Sequence, residues 1–208
     1  MNSASGALLD RLYNFHWVWP DRLARSAQAY VGFLAPFLRR HAIASVVNLR
    51  GGNPQFGWWR DEKRICEGLG VAHFDVMVSS RRLPPCALLA ELFDAFDAAR
   101  APVLLKCSGG QDRTSFAAAL YILHRKGASA LIEAQAQFAR WPYLHLPKRH
   151  QRWLALFPAY AVERAGGHAI ADWVRDAYDP YDLAAWLEAK GLGDSFNGFQ
   201  TVIRIEDA

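Results

Sequence analysis

The sequence predicts an α/β fold: a three-layer α/β/α arrangement around a mostly parallel sheet of four to five strands, with a helical C-terminal half. Three observations predict it. Up to residue 106, short apolar runs alternate with longer stretches of helical periodicity, the pattern of β-α-β units. Between residues 103 and 123 a buried strand, a glycine-containing loop and a buried helix follow one another without a break. After Arg113 the pattern turns almost wholly helical.

Taken in order, residues 1–20 begin polar and then carry Tyr13, Phe15, Trp17 and Trp19 in alternation, as an extended segment or early strand would. Pro20-Asp21 marks a turn, and Leu23–Ala27 reads as a short edge strand. Residues 28–41 read as a helix with Tyr30, Phe33, Leu34, Phe37 and Leu38 on one face and a kink at Pro36. Residues 44–49 form a buried strand, followed by a loop at Arg50-Gly51-Gly52-Asn53-Pro54. Trp58-Trp59 lead into a helix that stops at Gly68 or Gly70, where the two indoles read as packing. Residues 71–78 alternate as a strand, 79–82 form a polar loop, and Pro84-Pro85 open an amphipathic helix to Ala99. Pro102 to Lys106 is the strand that feeds the glycine loop. Helices are expected over 114–126, closed by Gly127, and over 128–140, 146–161, 170–178 and 181–190. Residues 202–205 could add a last strand.

The loop Cys107-Ser108-Gly109-Gly110-Gln111-Asp112-Arg113 carries the chemistry. A strand, a glycine loop and a helix start aim several backbone N–H groups and the positive end of a helix at one point, which suits a phosphate dianion. A cysteine there is nucleophilic only as thiolate, and helix N-termini and guanidinium groups lower the thiol pKa. Arg113 can fold back as a bidentate fork over two phosphate oxygens, and Thr114 is placed to donate its hydroxyl to the sulfur. Bare Cys-x5-Arg is a weak signal; the strand before it, the glycines within it and the helix after it strengthen it. The plainer alternative is a structural turn around an inert buried cysteine. The phosphate-binding set is therefore Ser108, Gly109, Gly110, Gln111, Asp112, Arg113 and Thr114, with Cys107 and Arg113 catalytic.

This loop resembles the phosphate-binding loop of the cysteine-dependent protein tyrosine and dual-specificity phosphatases. Its Asp-Arg-Thr ending is most similar to myotubularin-type inositide phosphatases and bacterial tyrosine/lipid phosphatases. It differs in having Lys106 where His often precedes the cysteine, and Ser115 where Gly often follows the threonine. Residues 25–28 and the strand 46–50 resemble elements near the start of bacterial dual-specificity-like domains, so the resemblance spans roughly residues 10–160. It implies a phosphomonoester hydrolase working through a cysteinyl-phosphate, on phosphotyrosine proteins, phosphoinositides or sugar phosphates.

A leaving alkoxide or phenolate needs a general acid, and two aspartates compete. Asp112 lies in the loop and matches the proposed acid of myotubularin-type loops. Asp75 lies upstream on a strand leading into the 79–85 loop, where dual-specificity phosphatases keep their acid. Asp112 is preferred; the plainer readings are a loop cap for Asp112 and a strand hydrogen bond for Asp75. Lys106 is expected just beneath the loop, as a cation for the sulfur. Arg50, at the carboxyl end of a strand, and Arg81, Arg82 and Lys148-Arg149-His150 could meet further substrate charge, but solvated or structural roles are the default.

At 208 residues the chain is long enough for one domain with a substantial core, about 10–160, and a helical extension over 161–208. The net charge of +4 fits an anionic substrate without demanding nucleic acid. Three cysteines make no disulfide framework, and no Cys/His spacing resembles a zinc site, so no cofactor or metal is expected. With neither a signal-peptide pattern nor an apolar run near the roughly 20 residues of a membrane span, the expected location is the cytoplasm. The oligomeric state is not legible. Two other classes compete: a rhodanese-like sulfurtransferase, whose cysteine loop is typically shorter, and a phosphate-binding module without turnover.

Overall fold

The computed structural model describes residues 3–30 and 32–201. Helix α1 (Ser3–Leu12) precedes β1 (His16–Trp19) and β2 (Leu23–Ser26); then come α2 (Leu34–Arg40), β3 (Ser45–Asn48), α3 (Gly57–Leu69), β4 (Ala72–Asp75), α4 (Cys86–Ala98) and β5 (Val103–Lys106). The second half is helical: α5 (Asp112–Lys126), α6 (Leu131–Ala136), α7 (Trp153–Ala165), α8 (Ile170–Ala177) and α9 (Pro180–Ala189). The five strands form one sheet in the order β1-β2-β5-β3-β4, parallel except for the β1–β2 pair.

Side-chain alternation along the strands builds the three layers. Leu23, Val47, Val103 and Leu105 face a large core shared with α4, α5, α7, α8 and α9. Their neighbours Ala24, Val46 and Leu104 face a smaller core with Leu34, Phe37 and Leu38 of α2 and Cys66 of α3. Ser26 pairs with Lys106 and Asn48 pairs with Lys106 from the other side. The loops after β2, β3 and β5 therefore leave the sheet side by side at its carboxyl edge, where open α/β sheets bind ligands.

Several elements differ from the sequence expectation. Residues 3–12 are helical because Asp10 ties α1 to the end of α2, to Arg40 at 3.1 Å and His41 at 2.8 Å, a pairing that no apolar stripe announces. The strand at 23–26 is not an edge: β1 covers its outer side and all four residues are buried. Residues 28–30 and 32–33 are not helical: the Gln28 side chain is held by Lys106 and Glu62 and its N–H by the Ser108 carbonyl. Helix α2 starts at Leu34, so Pro36 lies in its first turn, where a missing N–H costs nothing, and makes no kink. The helix expected over 128–140 is a 3-10 turn at Ala128–Ala130 followed by α6 alone, and the one expected over 146–161 starts only at Trp153. The strand expected at 202–205 lies outside the described residues.

Residues 161–200 do not hang off the rest. Ile170, Trp173, Val174, Leu183 and Leu187 enter the main core, and the Tyr178 hydroxyl donates to the Pro84 carbonyl at 2.9 Å. Asn197 and Gln200 bond the 77–83 loop through backbone and side chain. Among the described residues no helix is long and apolar enough to cross a membrane.

Helix α5 follows the glycine loop and is buried on nearly every turn, its position set by α7. Phe116 meets Trp153 and Phe157 edge-on with ring centroids 5.2 Å apart, and the Trp153 indole N–H donates to the Ser80 carbonyl at 3.2 Å. Trp153→Ala is expected to lower the unfolding free energy by about 3–5 kcal/mol in urea titration; a loss under about 1 kcal/mol would mean that α7 does not anchor α5.

Candidate active site

The loop after β5 closes around Cys107, whose residue is 3% exposed at the floor of a cavity of about 210 Å³ lined by Ser80, Cys107, Ser108, Gly109, Gln111, Asp112 and Arg113. The Thr114 hydroxyl donates to Sγ at 3.1 Å. Burial alone would push the thiol pKa up; the Arg113 guanidinium, the Thr114 hydroxyl and the Gln111 and Gly110 N–H groups outweigh it and hold it below the ordinary value. Arg113 is folded back over the loop, Nη2 donating to Ser108 Oγ at 2.7 Å and Nη1 to the Leu49 carbonyl at 3.3 Å. Cys107, Ser108, Gly109, Gln111, Asp112 and Arg113 thus share one cavity, with Gly110 and Thr114 turned to the sulfur.

The loop's backbone is fixed from behind. Gly110 has φ +63°, and a Cβ there would stand 2.4 Å from the Ala27 nitrogen and 2.5 Å from the Ser26 carbonyl carbon. Only glycine fits both the left-handed backbone and the approach to the end of β2. From β2, the fully buried Arg25 donates to the carbonyls of Gly110 (3.0 Å) and Gln111 (3.3 Å), to Ser115 Oγ (2.8 Å) and to the Gln137 carbonyl (3.0 Å). Its guanidinium lies 4.1 Å from the Tyr143 ring centroid. Burial pulls the Arg25 pKa down to about 10, with Tyr143, Cys107 and Asp112 acting the other way, so the group stays charged at neutral pH. Ser115, which departs from the resembled loops, supplies one of these acceptors.

The two aspartates part company. Asp112 opens α5 and lines the cavity; Oδ2 accepts from Gln151 Nε2 at 3.0 Å, and the same Gln151 amide donates to Ser80 Oγ. Asp75 is not among the lining residues. Its Oδ1 accepts from Asn48 Nδ2 at 2.6 Å and its Oδ2 from the Trp59 indole at 2.9 Å.

Lys106 does not serve the sulfur as expected. Its ammonium lies 2.6 Å from Glu62 Oε1 and donates to Gln28 Oε1 at 2.7 Å, and burial pulls its pKa down to about 8 against the pull of Glu62. Glu62 also meets His73 Nε2 at 2.9 Å; burial opposes its charge, but His73, Lys106 and Gln28 outweigh that and keep it below the usual carboxylate range. Arg50 stacks 3.6 Å from the Trp58 ring centroid and donates to Gln28 Oε1, which makes it the rim of this network. Arg81 and Arg82 are exposed on the loop that places Ser80, and Gln151, next to Lys148-Arg149-His150, bonds two residues of the cavity lining, Ser80 and Asp112. Glu62 and Gln151 carry no sequence signal of their own, and Arg25 and Gln28 carry only the faint resemblance of residues 25–28, which gives them no role. Among the described residues no group of three His, Cys, Asp or Glu could hold a metal ion.

Gly110→Ala is expected to weaken orthovanadate binding by about 100-fold or more, because a displacement near 1 Å misaims the loop amides. Isothermal titration on the folded variant checks this; unchanged affinity would contradict the cradle geometry.

No protein-family model matches the sequence, and no curated protein matches it. Solved structures do. TpbA of P. aeruginosa aligns with a TM-score of 0.52 at 18% identity, over 86% of this chain and 93% of its own. A cysteine-to-serine TpbA in complex with pTyr aligns at 0.51 and 23% identity, over 80% and 90%. The core catalytic domain of the PP-IP phosphatase Siw14 from S. cerevisiae aligns at 0.50 and 16% identity, over 86% and 93%. These neighbours are cysteine-based protein tyrosine and dual-specificity phosphatase-like structures, and this chain has their fold.

Proposed function

We propose that the protein is a cysteine-dependent phosphomonoester hydrolase that acts through a cysteinyl-phosphate on phosphotyrosine proteins, phosphoinositides or both. The observation that carries this reading is the Cys107 thiol: lowered in pKa, bonded by Thr114 and opening onto a cavity walled by its own loop. Cys107 Sγ attacks phosphorus in line, and the loop amides with Arg113 hold the three non-bridging oxygens. Asp112 gives its proton to the leaving oxygen as the bond to phosphorus breaks. A water then attacks the phosphorus, its proton passes to the Asp112 carboxylate, and the sulfur leaves as thiolate with the Thr114 hydroxyl bonded to it. Phosphate is released and Asp112 is again protonated, so the cycle closes.

Two neighbours bear on the substrate. One TpbA structure is in complex with pTyr and Siw14 is a PP-IP phosphatase, which supports keeping both phosphotyrosine and phosphoinositides as candidate substrate classes. Sulfur transfer is disfavoured by the seven-residue loop, and a binding module without turnover by the presence of nucleophile, arginine and acid together.

A phosphate-release panel of phosphotyrosine peptides, phosphoinositides and sugar phosphates tests the reading. Turnover of at least one class is expected, with Cys107→Ser lowering kcat by on the order of 10⁴ or more. No release from any of them, or activity that survives Cys107→Ser, rejects it. Asp112→Asn is expected to lower kcat on alkyl phosphates by roughly 10²–10⁴, with Asp75→Asn much milder on kcat; the reverse order would move the acid to Asp75.

A further inference from the structure

Beside Asp112 lies a group that this mechanism does not use. His145 stands in the loop between α6 and α7; its side chain is 3% exposed and its Nδ1 lies 3.1 Å from Asp112 Oδ1. That contact lacks the alignment of a hydrogen bond: Asp112 Oδ1, His145 Nδ1 and His145 Nε2 are all buried without a partner among the described residues. The ring is held edge-on to Phe138, with centroids 5.1 Å apart and planes at 72°. Leaving buried polar atoms unpaired is costly, and two of these, Asp112 Oδ1 and His145 Nδ1, face each other, so they mark bonding capacity that another state of the site takes up. Catalytic hydrogen bonds are often loose in a site without ligand and tighten when substrate is bound.

We propose that His145 is a positioning residue for Asp112, completing a clamp in which Gln151 holds one carboxyl oxygen and His145 the other. The inference rests on Asp112 being the acid. Oδ1 is shut away from solvent, which leaves Oδ2 as the oxygen that can reach a ligand, at the place where Gln151 Nε2 fixes it. With its proton on Nδ1, His145 donates to Oδ1 once Asp112 has lost its own proton from Oδ2. The bond therefore favours the carboxylate that forms as the leaving oxygen is protonated, and keeps its plane for taking the proton of water in the second step. No proton leaves the imidazole. The other charged groups around Asp112 are Arg25 from β2 and Cys107 and Arg113 of its own loop; Ser80 and Gln151 are neutral. His145 is thus the group that meets Oδ1.

The test compares His145→Phe, which keeps the contact with Phe138 but has no nitrogen, with His145→Asn, which keeps a donor. Each is assayed on aryl phosphates with good leaving groups and on alkyl phosphates, beside Asp112→Asn. His145→Phe is expected to lose about 10-fold or more in kcat on alkyl phosphates and far less on p-nitrophenyl phosphate. KM should change little, and His145→Asn should recover most of the loss. Equal losses on all leaving groups, or no difference between Phe and Asn at equal Tm, overturn the proposal. If Asp112→Asn shows the leaving-group dependence and His145→Phe does not, His145 alone loses its role; if Asp112→Asn shows none, the acid assignment fails and this inference with it. A readout independent of the variants is the ¹⁵N–¹H spectrum of the wild-type protein with orthovanadate. A protected His145 Nδ1–H signal that vanadate brings out supports the clamp, and its absence counts against it.

Discussion

A buried guanidinium holds the site together. Arg25 has no carboxylate beside it in the described structure; its N–H groups go to two carbonyls of the catalytic loop, to Ser115 and to the Gln137 carbonyl. A buried cation is costly unless its donors are met; here Nη2 is met by the loop and the helix that follows it and Nη1 by Gln137, while Nε has no partner among the described residues. The consequence runs both ways. The loop's carbonyls are drawn back toward β2, which turns the N–H groups of Gly110 and Gln111 toward the sulfur, and the thiolate and Asp112 lie in the field of the same cation. Gly110 lets the two backbones come close enough for this, since a side chain would collide with the end of β2.

A second buried network stands on the other side of the loop. Gln28, just past β2, links Lys106 at the end of β5, Glu62 on α3 and Arg50 after β3. His73 of β4 joins Glu62, and Asp75 of the same strand is held by Asn48 and Trp59. Lys106 and Glu62 pair within this cluster, which ties together the carboxyl ends of four strands. It also explains the place of Asp75: the strand delivers it to Asn48 and Trp59, beside the network and away from the cavity lining. These bonds run across the carboxyl edge of the sheet and tie its strands into a frame for the loop.

The layers, the mostly parallel sheet and the loop of the nucleophile were legible because they rest on local signals. Periodicity marks buried strands and helices, and the span from Cys107 to Thr114 is contiguous, so its members meet wherever the loop goes. What escaped depends on distant pairing. Residues 28–33 look helical by their aromatic spacing, yet the side chain of Gln28 is committed to partners 34 and 78 positions away. The edge-strand reading of 23–27 failed because a buried arginine looks exposed until the carbonyls that receive it are known. His145 and Gln151 flank the stretch Leu146-Pro147-Lys148-Arg149-His150, whose charge is the visible signal, while it is the residues at its two ends that meet Asp112.

The proposed chemistry depends on the state of one sulfur, and the pH dependence of Cys107 alkylation by iodoacetamide, followed on its own peptide by mass spectrometry, tests it most directly. Cys66 serves as an internal control, since burial pushes its thiol up to about 12 and it should stay unmodified. The account predicts that Cys107 reacts as a thiolate with a midpoint well below the ordinary thiol value of about 8.5, and that orthovanadate blocks the reaction. A midpoint at or above that value, or alkylation indifferent to vanadate, would contradict it.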